Sequence, residues 1–324
     1  MRTAFSVALA LAMVACDSAR EGEARPAAPP ESGAIASPAA DPATASLDTI
    51  PGTNWTERDW AVLEQKVRWA AGRGLDTVPM GTAVAELGRT FVGATYTPGT
   101  LEAPGDEHLV INLRELDCVT FIENVWALNR FLRSEGVSGL ADPAAARSAY
   151  EAHLRAIRYR DGVLAGYPSR LHYFSDWLTN HEDRGHLRLI TASLGGVGDA
   201  EPIDFMSTHP DAYRQLADPA FLQAIREREA YLNGRGPRIY LPQPAIAAVE
   251  GDIRDGDLIA ATSTVGGLDI AHTGIALHVD GRLHLLHAPL VGRDVEISEL
   301  PLADRIAGIS GQDGIMVARL TEGD

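Results

Sequence analysis

The chain has 324 residues, 45% hydrophobic and 22% charged, enough apolar material for one large globular domain or two small ones. A formal net charge of −16 excludes a nucleic-acid binder, which needs a basic face to displace counterions from phosphates.

Residues 1–16, MRTAFSVALALAMVAC, carry one arginine, an apolar run too short to span a bilayer, and small residues before Cys16. They read as a signal peptide. The ending MVAC resembles a bacterial lipobox, with Met13 where leucine is commoner. That resemblance implies lipidation at Cys16 and an envelope lipoprotein facing the periplasm, with inner or outer membrane left open; plain signal cleavage after Ala15 is the alternative. Residues 17–50 are Ala, Pro, Ser, Thr, Gly and acidic residues with little to bury, the composition of a flexible tether. Extended at roughly 3.1 Å per residue, such a tether stands several nanometres off a membrane. With Cys16 lipidated, the only other cysteine, Cys118, is a lone thiol in an oxidising compartment. A disulfide framework and a cysteine-built metal site are both excluded.

The folded part is expected over 51–324. Segment 55–71 places Trp55, Trp60, Leu63, Val67 and Ala70 near helical spacing, and 82–93 reads as a second helix. The Gly/Pro-bearing loop GATYTPGTLE follows, then HLVINLREL, whose near-alternating hydrophobics predict a strand. From Cys118, the residues Phe121, Ile122, Val125, Leu128, Asn129 and Leu132 fall on one helical face, with Asp117 placed as N-cap. Residues from about 134 to 237 are mostly helical by pattern. From Arg238 the period changes to two, through RIYLP, DLIAATS, IAHTGIALHV, RLHLLHAPL, RDVEISEL and GIMVARL. Helices followed by an antiparallel sheet make the fold class α+β.

A cysteine in the first turn of a helix sits where unpaired backbone N–H groups and the helix dipole favour an anion, so its thiol ionises more readily. The same groups can hold an oxyanion. A lone cysteine on an apolar helix face is more often a small core residue, so the reading needs a base. The hairpin IAHTGIALHVDGRLHLLHA supplies a test. If Asp280-Gly281 is a two-residue turn, Val279 pairs with Arg282 and Gly274 with His287. His272 and His287 then share one face as diagonal neighbours. His284 pairs with Leu277 and points to the other face, and His278 lies about 20 Å along the strand from His272.

These features are similar to the NlpC-type papain-like cell-wall hydrolases: Cys118 at a helix start, AHTGIAL and LLHA on adjacent strands, and a tyrosine-bearing GATYTPGTLE loop. More closely, NLRELDCVTFIENV, YPSRLHYFSDW, FMSTHP, GLDIAHTGIAL and LHLLHA resemble the N-acetylmuramoyl-L-alanine amidase-like family, in matching order from about Gly88 to Leu320. The residues between about 134 and 237 depart from the generic superfamily and read as an insertion. The resemblance implies a papain-like fold and hydrolysis of the amide between N-acetylmuramic acid and L-alanine of the stem peptide, on small muropeptides such as 1,6-anhydro forms. It implies Cys118 as nucleophile, His272 as base and then acid, His287 as the residue that orients it, and Tyr96 with the Cys118 N–H at the oxyanion. No metal or other cofactor is required. Asp117, Arg170 and Tyr173 are candidates for binding substrate, although capping explains Asp117 and packing explains the other two equally well. An endopeptidase cutting within the stem peptide and a non-catalytic envelope-binding lipoprotein remain competing readings, and the oligomeric state stays open. HEDRGH, with His181 and His186 five apart, lacks zinc-helix spacing and reads as a solvated turn; SLGGVG reads as a loop.

Overall fold

Thr56 opens the first helix by accepting the Asp59 amide on its hydroxyl, and α1 runs Glu57–Ala71. The computed structural model describes residues 48–322, so the predicted signal peptide, Cys16 and the tether up to residue 47 lie outside the described residues. Helix α2 (Met80–Arg89) ends earlier than the predicted 93 because turns follow it to Gly93. Strands β1 (Thr95–Tyr96) and β2 (Glu115–Leu116) pair in parallel.

Five helices and two short strands come next: α3 (Cys118–Ser134), α4 (Pro143–Arg158), α5 (Phe174–Asp183), β3 (Leu187–Leu189), β4 (Val197–Asp199), α6 (Phe205–Thr208) and α7 (Pro219–Gly234) complete the first two thirds, α6 being a single turn. The remainder is β5 (Arg238–Pro242), α8 (Gln243–Val249), β6 (Leu258–Ser263), β7 (Ile270–Val279), β8 (Arg282–His287), β9 (Glu296–Ile297), α9 (Leu302–Ala307) and β10 (Gln312–Leu320). These strands form one sheet in the order β4-β5-β10-β6-β7-β8-β9, with β3 also on β10. Every pair in it is antiparallel. The α+β expectation therefore holds. The segment read as mostly helical nevertheless lends β3 and β4 to the sheet edges, strands too short to show a period of two.

Alternation along the central strands separates two cores. Leu258, Ala260, Ile275, Leu277, Leu286, Met316 and Ala318 face α1 to α5 and their aromatic residues Phe121, Trp126 and Trp177. Ile259, Ala261, Ala276, Leu285, Ile315 and Val317 face Ile246 of α8 and Leu302 and Ile306 of α9. The 134–237 segment closes a third cluster of its own around Tyr167, Tyr173, Phe205, Met206 and Ile225.

The predicted strand HLVINLREL is a correction. Its Leu109, Ile111 and Leu113 alternate inward as read, but only Glu115–Leu116 pairs with another strand. Side chains take the place of a ladder. Asn54 donates to the Leu109 carbonyl, Arg158 to the Val110 carbonyl and Asn124 to the Asn112 carbonyl, while Asp59 accepts the Leu113 N–H. Burial pattern reports which way side chains point and is silent on what satisfies the backbone.

Arg158 is the center of this arrangement. Its Nε donates to Glu123 at 2.7 Å, with the two side chains 2% and 3% exposed. Replacing Arg158 by Met leaves a buried carboxylate without its partner and the Val110 carbonyl without its donor. Chemical denaturation should show a loss of about 3–5 kcal/mol, and a loss below 1 kcal/mol would show that the pair is not structural.

Candidate active site

Helix α3 starts where it does because Asp117 is extended (φ −94°, ψ −178°) and closes a reciprocal cap with Thr120. Its Oδ1 accepts the Val119 and Thr120 amides at 3.1 and 2.8 Å, and the Asp117 N–H donates to the Thr120 hydroxyl at 2.9 Å. Asp117 is thus the cap that the sequence suggested. Phe121, Ile122, Val125, Leu128 and Leu132 are all buried in the first core, so the helix is held along its length. Cys118 occupies its first position, is buried and, among the described residues, forms no disulfide.

The helix start is fastened to the sheet by one side chain. The Thr273 hydroxyl of β7 donates to the Cys118 carbonyl at 2.9 Å. Thr273 follows His272, and Ala271, just before it, is the extra residue where the β6–β7 register shifts. Bulges of this kind re-aim the neighbouring side chain.

The β7–β8 hairpin has the predicted turn. Asp280 and Gly281 both take positive φ, 50° and 80°, as a two-residue hairpin turn requires. Val279 pairs with Arg282, Leu277 with His284, and Ile275 with Leu286. His272 Nε2 lies 2.7 Å from His287 Nδ1, the rings nearly perpendicular at 86°. Both are buried. His284 turns away and its Nδ1 meets the Ser298 carbonyl at 2.7 Å, whereas His278 pairs with Asp255.

Tyr96 is brought to the same end by β1. The Tyr96 N–H donates to the Arg293 carbonyl and the Thr97 N–H to the Leu116 carbonyl, each at 3.1 Å. One short segment therefore touches both the lead-in to α3 and the lead-in to β9. Arg170 and Tyr173 stand further out. Arg170 is buried, donates to the Leu101 carbonyl and Glu102, and lies 3.6 Å from Glu107, so it braces the loop after Tyr96. The Tyr173 hydroxyl donates to Glu229 and accepts the Met206 N–H, inside the third core. His181 and His186, read as a solvated turn, are corrected: both are buried, their Nδ1 atoms 3.3 Å apart, against Trp126. Aromatic neighbours distant in sequence gave no local signal of that burial.

Burial drives the pKa of His272 well below its ordinary 6.5, with Arg305 adding to the effect. Burial does the same to His287, followed by His272, Arg305 and Arg293. At neutral pH the pair is two neutral imidazoles, one donating and the other accepting. Such a pair can take one proton and share its position. Sequence reasoning missed Thr273, Arg293, Glu296 and Arg305. Thr273 was within reach, since it adjoins His272; the others follow a connection from β8 to β9 too long to fix a register.

The model of the family described as N-acetylmuramoyl-L-alanine amidase-like matches residues 86–312. An N-acetylmuramoyl-L-alanine amidase from Bacteroides uniformis is 36% identical over 75% of this chain and 99% of its own, with a TM-score of 0.68. A putative xylanase from Bacteroides fragilis is 34% identical over 72% of this chain and 99% of its own, with a TM-score of 0.65. A Legionella pneumophila protein at 19% identity, covering 82% of this chain and 95% of its own, shares the fold at a TM-score of 0.58. Comparison with curated proteins finds none that matches.

The neutral pair sets a pH dependence. In the unfolded chain each ring binds a proton near pH 6.5, and in the folded protein only well below that. Their effect is therefore absent above about pH 6.5 and destabilising below it, by up to about 1.4 kcal/mol per pH unit for each ring. The double variant H272Q/H287Q should lose less stability than the parent between pH 7 and pH 5, measured by denaturation at each pH. Equal losses would mean that the rings are not held neutral.

Proposed function

As the chain belongs to the N-acetylmuramoyl-L-alanine amidase-like family, we propose that it is a cell-wall amidase that cleaves the bond between the lactyl group of N-acetylmuramic acid and L-alanine of the stem peptide. Its substrates in this reading are small muropeptides, the 1,6-anhydro forms among them, and its nucleophile is Cys118. The observation that carries the reading is the buried His272–His287 contact at 2.7 Å, next to the residue that grips the Cys118 carbonyl.

The chemistry follows from which nitrogens are used. His272 Nε2 is engaged with His287, which leaves Nδ1 to exchange a proton with the thiol. The sulfur attacks the lactyl carbonyl carbon as that proton moves to His272, and the carbonyl electron pair becomes an oxyanion. The Cys118 N–H, in the first turn of a helix whose dipole favours an anion, and Tyr96 stabilise it. Collapse breaks the C–N bond while His272 returns its proton to the departing alanine amine. Water, deprotonated by His272, then cleaves the thioester and frees the sulfur. Asp117 acts here as the cap that fixes Cys118. Arg170 shapes the cleft by holding the loop beyond Tyr96, and Tyr173 supports the wall behind it. The front end fits the same reading: lipidation at Cys16 would anchor the enzyme at the periplasmic side of an envelope membrane.

Mass spectrometry of products from a defined anhydromuropeptide tests the bond. Release of a peptide beginning with L-alanine, together with free 1,6-anhydro-N-acetylmuramic acid, is expected; cleavage only inside the peptide would overturn the assignment. Cys118→Ala should reduce turnover to background with the fold kept. His272→Ala should cost about a hundredfold or more and His287→Ala much of the activity, while His284→Ala should keep most of it.

A further inference from the structure

We propose that Glu296 is a positioning residue that accepts the Nε2–H of His287 and so fixes the tautomer of the histidine pair. This rests on the assignment of His272 and His287 just given, and it adds a fourth member held in place by a fifth. The ladder sets Glu296 opposite His287 between β8 and β9. His287 Nε2 is buried and has no hydrogen-bond partner among the described residues. Glu296 Oε1 lies 4.0 Å from it, with the side chains 2% and 26% exposed. That separation is about 1 Å too long for a hydrogen bond, and a part-exposed glutamate has the freedom to close it. Arg293 keeps the carboxylate nearby, with contacts of 3.1, 2.8 and 2.8 Å from its guanidinium.

Proton bookkeeping shows why an acceptor is needed there. When His272 holds the thiol proton on Nδ1, it is protonated on both nitrogens, and its Nε2–H must donate. His287 Nδ1 must then be bare. Its single proton is left on Nε2, aimed toward Glu296. An acceptor at that point favours this tautomer before the reaction begins, whereas the reverse tautomer would set two N–H groups against each other. The charged and titratable groups acting on His287 are His272 from β7, Arg305 from α9, Arg293 from the loop before β9, and Glu296 at the start of β9. Two of these are cationic. The Arg293–Glu296 pair is close to neutral as a unit, so it offers an acceptor without pulling a second proton onto His287.

The test compares Glu296→Leu and Glu296→Gln with the parent in the intact chain. Long-range proton–nitrogen NMR reads the His287 tautomer, and the iodoacetamide alkylation rate across pH reads the Cys118 thiolate; neither needs substrate. Glu296→Leu should move His287 toward the Nδ1–H form, slow alkylation at pH 7 about tenfold and lower kcat by a similar factor at unchanged KM. Glu296→Gln keeps an acceptor oxygen and should restore the tautomer. An unchanged tautomer and alkylation profile in Glu296→Leu, with its fold intact, overturns the proposal even if the parent is a proven amidase. A tautomer shift in a protein that does not cleave muropeptides supports the proposal while removing the amidase reading.

Discussion

The proposed reaction needs the first turn of α3 fixed relative to His272, and a threonine beside that histidine ties the two together. Thr273 projects from β7 to the Cys118 carbonyl, and the strand that carries it also carries His272. The histidine and the helix start therefore share one reference frame. The rest of the fold keeps that frame rigid. Five apolar positions pin α3 along its length, and α8 and α9 cover the opposite side of the sheet.

Beneath the site, charge is handled by pairing. Glu123 and Arg158 lie in the interior with a direct contact, and Asp176 is met by Arg160 and Arg228. A buried pair of this kind stabilises little beyond an apolar equivalent, yet breaking it is costly. Such pairs tie α3 to α4, and α5 to α7 and to the segment after α4. Arg170 extends the principle to the rim, where it joins the segment after α4 to the loop after Tyr96.

What the sequence revealed divides along physical lines. The hairpin was legible because Asp280-Gly281 favours a two-residue turn, and a turn of that length fixes every pairing beyond it. The His272–His287 contact followed from counting. The Asp117 cap was legible because capping is local. Residues 108–114 were misread because side chains from elsewhere satisfied their backbone. His181 and His186 were misread because Trp126, which buries them, is remote in the chain. Glu296 went unseen for the same reason: its relation to His287 depends on the path of the connection between them. Local rules were readable, and those requiring a distant partner were not.

The pairing of β1 with β2 has a geometric consequence. Thr97 leaves this point and the chain returns to it at Leu116, the two ends joined by a hydrogen bond of 3.1 Å. The excursion between them is a closed detour whose far side includes the exposed Gly105 at φ 97°. Its ends are set by the sheet and helix and its return leg is held by Asn54, Arg158, Asn124 and Asp59, so its length can vary at small entropic expense only at the exposed tip. Residues added at Gly105 would enlarge the rim of the site and leave its floor in place.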